Sequence, residues 1–186
     1  MGFALHLRNV VTAGVIGTAG DSLMQHREGV TALDDLDIGR TARLVSFRMV
    51  HAPLIDAAWR FFDHRIPFGG VAGVVARVAA DQGLLMPPSL VGFFLSQGAM
   101  EGCSPKECVQ RVRDSFVPAA SKAIPYWCAV HSLTFSVVTP RYRMAWASMC
   151  AVAWNAIMSH ENQNAILREQ GSVASAEANS GGSRSL

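Results

Sequence analysis

Two aspartates, Asp21 and Asp81, stand at the edges of long apolar stretches, and each has an amide nearby: Gln25 one helical turn after the first, Gln82 next to the second. Side chains at i and i+4 share a helix face, so Asp21 with Gln25, and Arg77 with Asp81, each form a polar patch on an apolar helix. Two carboxylates sharing a proton can do the acid–base work of an aspartyl protease. The flanking residues argue against that chemistry. Gly17-Thr18-Ala19-Gly20-Asp21 lacks Gly-x-Gly-Asp, Asp81 has no preceding Tyr, and His51-Ala52-Pro53-Leu54 inverts the Pro-Ala order. There is no Gly-x-Ser-x-Gly, no Walker-type loop and no metal-ligand cluster. The sequence therefore reads as no enzyme, with no cofactor and no metal.

Further polar groups extend the pattern: Arg40, Arg43, Arg48, Asp56 and Arg60 in one apolar segment, Arg77, Asp81 and Gln82 in the next, and His131, Thr134, Arg143 and Asn155 near the end. A charge at the centre of a bilayer costs roughly 2.5–3.5 kcal/mol on insertion scales, so such groups face a bundle interior or a wet cavity and pair with one another. Asp21 and Asp81 supply acids, and Arg40, Arg43 and Arg77 supply partners. These residues can cross-link helices, or they can line a polar path for ions or small solutes.

The elements that position them are helices. Half of the 186 residues are hydrophobic and 16% are charged, against about 25% in an average soluble domain. Against the roughly 20 mostly apolar residues that a spanning helix needs, four segments of unequal quality read as spans, at about 4–25, 39–64, 69–99 and 127–159, the first two only with polar residues inside them. Between the third and fourth, Ser104-Pro105-Lys106-Glu107 is a capping box, and Val109, Val112, Phe116 and Ala120 follow at helical spacing. This element reads as an amphipathic helix ending before Pro125, suited to the headgroup plane or to a soluble surface. Pro87-Pro88 removes two amide donors and should break or kink the third segment.

The fold class is thus all-α, an integral membrane bundle of about four transmembrane helices with one interfacial helix, over residues 1–165. Residues 166–186, rich in Ser, Gly and Ala, read as a disordered tail. Gly14, Gly17 and Gly20 form a stripe on which a neighbouring helix can approach closely. The four cysteines show no CxxC and read as buried or lipid-facing thiols rather than a Cys103–Cys108 disulfide. A net charge of +2 gives no surface for nucleic acid, and Lys and Arg fall too evenly to orient the chain. The acid-free start is compatible with mitochondrial targeting. The partners expected are the lipid bilayer, small metabolites or ions, and a second copy of the chain.

Particular motifs then carry a resemblance. Gly20-Asp21 with Gln25, Arg40 and Arg43, Pro53 with Trp59 and Asp63, Arg77-x3-Asp81-Gln82-x4-Pro87, and Trp127, Phe135, Pro140, Tyr142-Arg143, Trp154-Asn155 and Ser159 follow one signature in order. The chain resembles the Mpv-seventeen / peroxisomal-membrane-protein-twenty-two family over about residues 4–160. It departs at Asp56, Ala58, Cys128, His131, Thr134 and Thr139, as a divergent member would. The resemblance implies a small four-span protein of the mitochondrial inner membrane, or alternatively of the peroxisomal membrane. It also implies weakly selective channel activity in organelle metabolite homeostasis. The non-conducting alternative is a membrane scaffold or assembly factor. Asp21, Gln25, Arg40, Arg43, Arg77, Asp81, Gln82, Arg143 and Asn155 are the candidate pore-lining or helix-linking residues.

Overall fold

The computed structural model describes residues 2–155. The proposed tail at 166–186 and the last residues of the proposed membrane domain lie outside this range. The described chain is helical throughout, with no strand. Helix α1 is Gly2–Arg27 and α2 is Ile38–Arg65. Asp37 starts α2 by accepting a hydrogen bond from the Arg40 amide, satisfying a donor that the first turn cannot. Helix α3 (Gly70–Ala80) and helix α4 (Met86–Met100) are joined by a single π-helical turn, Asp81–Leu85, into one 31-residue helix.

That junction corrects the break, one of the two outcomes expected at Pro87-Pro88: the helix continues, and its departure from α geometry is the π turn just before the prolines. Both prolines fall in the first turn of α4, where missing amide donors are tolerated. The wide turn before them is closed by the Met86 amide on the Asp81 carbonyl. Among the described residues, Gly70–Met100 alone is long and apolar enough to cross a membrane by itself. Glycines with left-handed backbone start this helix at Gly70 (φ 63°) and follow it at Gly102 (φ 81°).

The second correction concerns residues 105–159. Helix α5 runs unbroken over Pro105–Ser136, through Pro118 and Pro125, and α6 then occupies 143–155. The expected interfacial helix and the first part of the expected fourth span are therefore one element, and that span is interrupted at 137–142. Packing explains the continuity: Ala120, Ala123, Val130, His131, Thr134 and Phe135 are all buried, in a stripe that passes Pro125. The stop comes at Thr139, extended ahead of Pro140 as a residue before proline prefers, followed by a 3-10 turn, Pro140–Tyr142.

The glycine stripe works as expected. A Cβ on Gly14 would sit 3.4 Å from Met49 Sδ and one on Gly17 3.2 Å from Arg48 Cδ, so α1 lies close on α2. Gly20 faces α6, where a Cβ would fall 2.5 Å from Val152. The apolar core between the helices is small, built around Ala13, Ala52, Trp59, Phe62, Phe135 and Met144. Large apolar side chains face outward: Val15 is 64% exposed, Leu54 63% and Val71 82%.

Candidate functional site

The polar residues gather at three levels of the bundle. At the end formed by the C-terminus of α1 and the N-terminus of α2, Asp21 is buried. Its carboxylate accepts hydrogen bonds from Gln25 Nε2 (2.9 Å) and Thr41 Oγ1 (2.5 Å) and pairs with Arg40 Nε at 3.1 Å. Gln25 also accepts from the Asp37 amide at 2.6 Å, and Arg40 makes a two-pronged pair with Glu28. Asp21 and Gln25 thus answer to one task, tying α1 to the start of α2. On the same end Arg43 lies 3.8 Å from Glu101, which Arg111 holds at 2.6 Å. This joins α2, α4 and α5. The Glu101 carboxylate raises the Arg111 pKa above its ordinary value. The capping box is present, and the Ser104 hydroxyl and amide lower the pKa of Glu107.

At the opposite end the expected Arg77–Asp81 pair does not form. The carboxylate of Asp63 is the hub there: Arg77 Nε reaches one oxygen at 3.0 Å and Arg143 Nη1 the other at 2.6 Å. Arg77 also donates to the carbonyls of Ile66 and Gly73, and Arg143 Nε to that of Val138, so the clamp satisfies loop and helix-end carbonyls as well. A planar guanidinium with several donors suits this multi-acceptor geometry better than an ammonium. Helix α6 therefore begins where Arg143 can reach Asp63.

Asp81 belongs to the middle level. It is buried, accepts from Trp59 Nε1 at 2.6 Å and Gln82 Nε2 at 2.9 Å, and lies 3.3 Å from His131 Nε2. Trp59, His131 and Phe135 pack edge to face around it. Beside this group is a cavity of about 450 Å³ between the helices, lined by Asp81, Gln82, Asn155, Arg48, His51 and Ser148 among mainly apolar walls.

Of the expected site residues, then, only Asp81, Gln82 and Asn155 line the cavity. Asp21, Gln25, Arg40 and Arg43 lie at one end, and Arg77 and Arg143 at the other. Thr41, Glu28, Glu101 and Ser89 are partners that sequence reasoning passed over. Thr41 directly follows Arg40 and faces Asp21 from the next helix, a relation that no spacing on one helix reveals. Asp63 stood in the family signature and is the acid that the two arginines share. The described cysteines are all free thiols. Among the described residues no group of His, Cys, Asp and Glu could hold a metal ion.

The family description "Mpv17 / PMP22 family" matches residues 98–159. The chain is 30% identical over 154 residues to "Protein sym1" of Aspergillus oryzae, covering 82% of this chain and 87% of the relative. It is 31% identical over 160 residues to "Protein sym-1" of Neurospora crassa, covering 84% and 91%. It is 27% identical over 151 residues to "Mitochondrial inner membrane protein Mpv17" of Rattus norvegicus, covering 81% and 86%. No solved structure matches. The relatives from Rattus norvegicus and Drosophila melanogaster are both named as mitochondrial inner membrane proteins, and the mitochondrial inner membrane is the compartment of this chain. With its motifs in order and its relatives matched along most of both chains, the protein belongs to the Mpv17 / PMP22 family.

Proposed function

We propose that the chain is a four-span membrane protein whose central cavity forms part of a weakly selective path for small solutes. The observation that carries this reading is an inverted distribution of polarity. Asp21, Asp56, Asp81 and Arg143 are buried, while Val15, Leu54, Val71 and Leu84 are more than half exposed. A soluble bundle places such groups the other way round, whereas a lipid-facing bundle requires this arrangement. The cavity between the helices, with Asp81, Gln82 and Asn155 in its wall, supplies a place for a solute. In this reading α1, α2 and the joined α3–α4 helix span the bilayer, and the second half of α5 with α6 makes the fourth, interrupted crossing. The protein binds and passes solutes and does not transform them.

A scaffold reading has its own observation. The carboxylates of Asp21, Asp63 and Asp81 are each held by two or more partners from other positions in the bundle. Groups so fully engaged serve helix packing. Planar-bilayer recording of the purified protein separates the two. Discrete conductance whose ion preference shifts in Asp81→Asn supports the path. Electrical silence of well-folded protein, with Asp81→Asn only lowering stability, supports the scaffold.

A further inference from the structure

We propose that the central cavity binds a small organic anion, with its acidic head on Arg48 and its apolar body among the aromatic walls. The proposal deepens the solute-path reading and rests on the same cavity. Arg48 is half-buried and lines the cavity, and among the described residues its guanidinium makes no ion pair. The other arginines of the bundle interior are answered: Arg77 and Arg143 by Asp63, Arg40 by Asp21 and Glu28. A guanidinium does not shed its proton, so at this depth it calls for an anion or for water.

The nearby acids are committed elsewhere. Asp21 is held by Arg40, Thr41 and Gln25, and Asp81 by Trp59 and Gln82 with His131 alongside. One turn beyond Arg48, His51 Nε2 and Ser89 Oγ are hydrogen-bonded at 2.8 Å, which adds a second polar contact point to the same wall. Phe47 stacks on His51 at 5.0 Å, and Trp127 and Trp154 lie in the same lining. The volume of about 450 Å³ falls in the range of roughly 300–1,000 Å³ typical of small-molecule sites, and mainly apolar walls with a few polar groups are their usual composition. The lining contains one arginine, no lysine and one acid, Asp81, whose carboxylate is already held by Trp59 and Gln82. Arg48 therefore answers at most a single negative charge and leaves a polyanion uncompensated.

The tryptophans provide the test. The full-length protein in phosphatidylcholine nanodiscs is titrated with ω-bromooctanoate, whose heavy atom quenches tryptophan emission on contact, and with neutral ω-bromooctanol. Saturable quenching by the carboxylate at a concentration about tenfold or more below that of the alcohol is expected, a difference that one charge contact readily supplies. Arg48→Met should remove the difference, and Arg48→Lys should keep part of it. Equal quenching by acid and alcohol in the native protein overturns the proposal, whether or not any variant folds. A carboxylate preference that survives in folded Arg48→Met overturns it too. Repeating the titration in phosphatidylglycerol identifies the source of the anion: competition by the lipid points to a lipid headgroup, and unchanged quenching to a free acid. Both results support the anion site. Conductance without carboxylate preference removes this proposal and leaves the path reading; preference without conductance does the reverse.

Discussion

Asp63 and Arg48 are opposite cases. One carboxylate at the end of α2 gathers two arginines from two other helices, while one arginine in the middle of α2 makes no ion pair among the described residues. Both lie on the same helix, and both are charges removed in part from water. The first is a closed circuit: its partners are fixed, and their remaining donors cap the carbonyls of Ile66, Gly73 and Val138. The second is open, and beside it the packing leaves a cavity. In a low-dielectric interior a compensated charge holds the fold together, and an uncompensated one is a demand for something else. The comparison separates the polar residues of this bundle by their partners, where their positions in the sequence do not.

The largest effect that would break this comparison is at Asp63. Asp63→Asn strands Arg77 and Arg143 together. With the carboxylate part-exposed and both arginines mostly out of water, the cost is about 2–3 kcal/mol, short of the fully buried value; thermal unfolding in detergent should show it as a large drop. A change no bigger than that of an exposed substitution would mean that the clamp is incidental. Next is the contact of Gly20 with Val152. Gly20→Ala forces a methyl into the α6 side chain and should cost about 1–3 kcal/mol. Val152→Ala in the same chain should restore most of it, so a double-mutant cycle with no coupling would refute the close approach. Ser104→Ala removes the cap of α5 and should cost about 1 kcal/mol.

Arg48→Met should have the smallest effect on stability among these, neutral or slightly stabilising, because it removes a charge with no partner to strand. A loss comparable to that of Asp63→Asn would place Arg48 among the structural charges. The Glu107 carboxylate adds a weak pH dependence. Its pKa is lowered in the folded chain by the Ser104 hydroxyl and amide, so its stabilising contribution is present above the ordinary carboxylate range. It fades as pH falls through the lowered value. In an acid titration of thermal stability, Glu107→Gln should flatten that part of the curve.

Much of the fold was legible because it is written at short range. The bounds of α1, α2 and the joined α3–α4 helix follow from apolar runs closed by polar residues, and the start of α5 follows from Ser104, Pro105 and Glu107. The prolines misled in two places for one reason: a missing amide donor is a local cost, and helix continuity is settled by packing along the whole face. Pro125 is exposed on a helix whose other face is a buried stripe and is absorbed, Pro87 and Pro88 fall in a first turn, and Pro140 opens the short turn after which Arg143 reaches Asp63. The candidate site was legible as a set of residue types and illegible as a set of pairs. Asp21 with Gln25 was readable because both stand on one helix. Arg77 was assigned to Asp81 by the same rule, and the rule failed because an acid on another helix, Asp63, lies closer.

By itself, the sequence determined that this chain is helical, that it carries more buried polarity than its low charge content suggests, and that it belongs with the Mpv17 / PMP22 proteins. Those properties depend on composition, periodicity and ordered motifs, each readable within a turn or two or from residue identity alone. The tertiary structure decided which charges are spent and which are available. It set Asp63 between two arginines, gave Asp81 to Trp59 and Gln82, and left Arg48 facing a cavity. Coulomb energy and hydrogen bonding depend on distances across helices, and those distances exist only once the helices have packed.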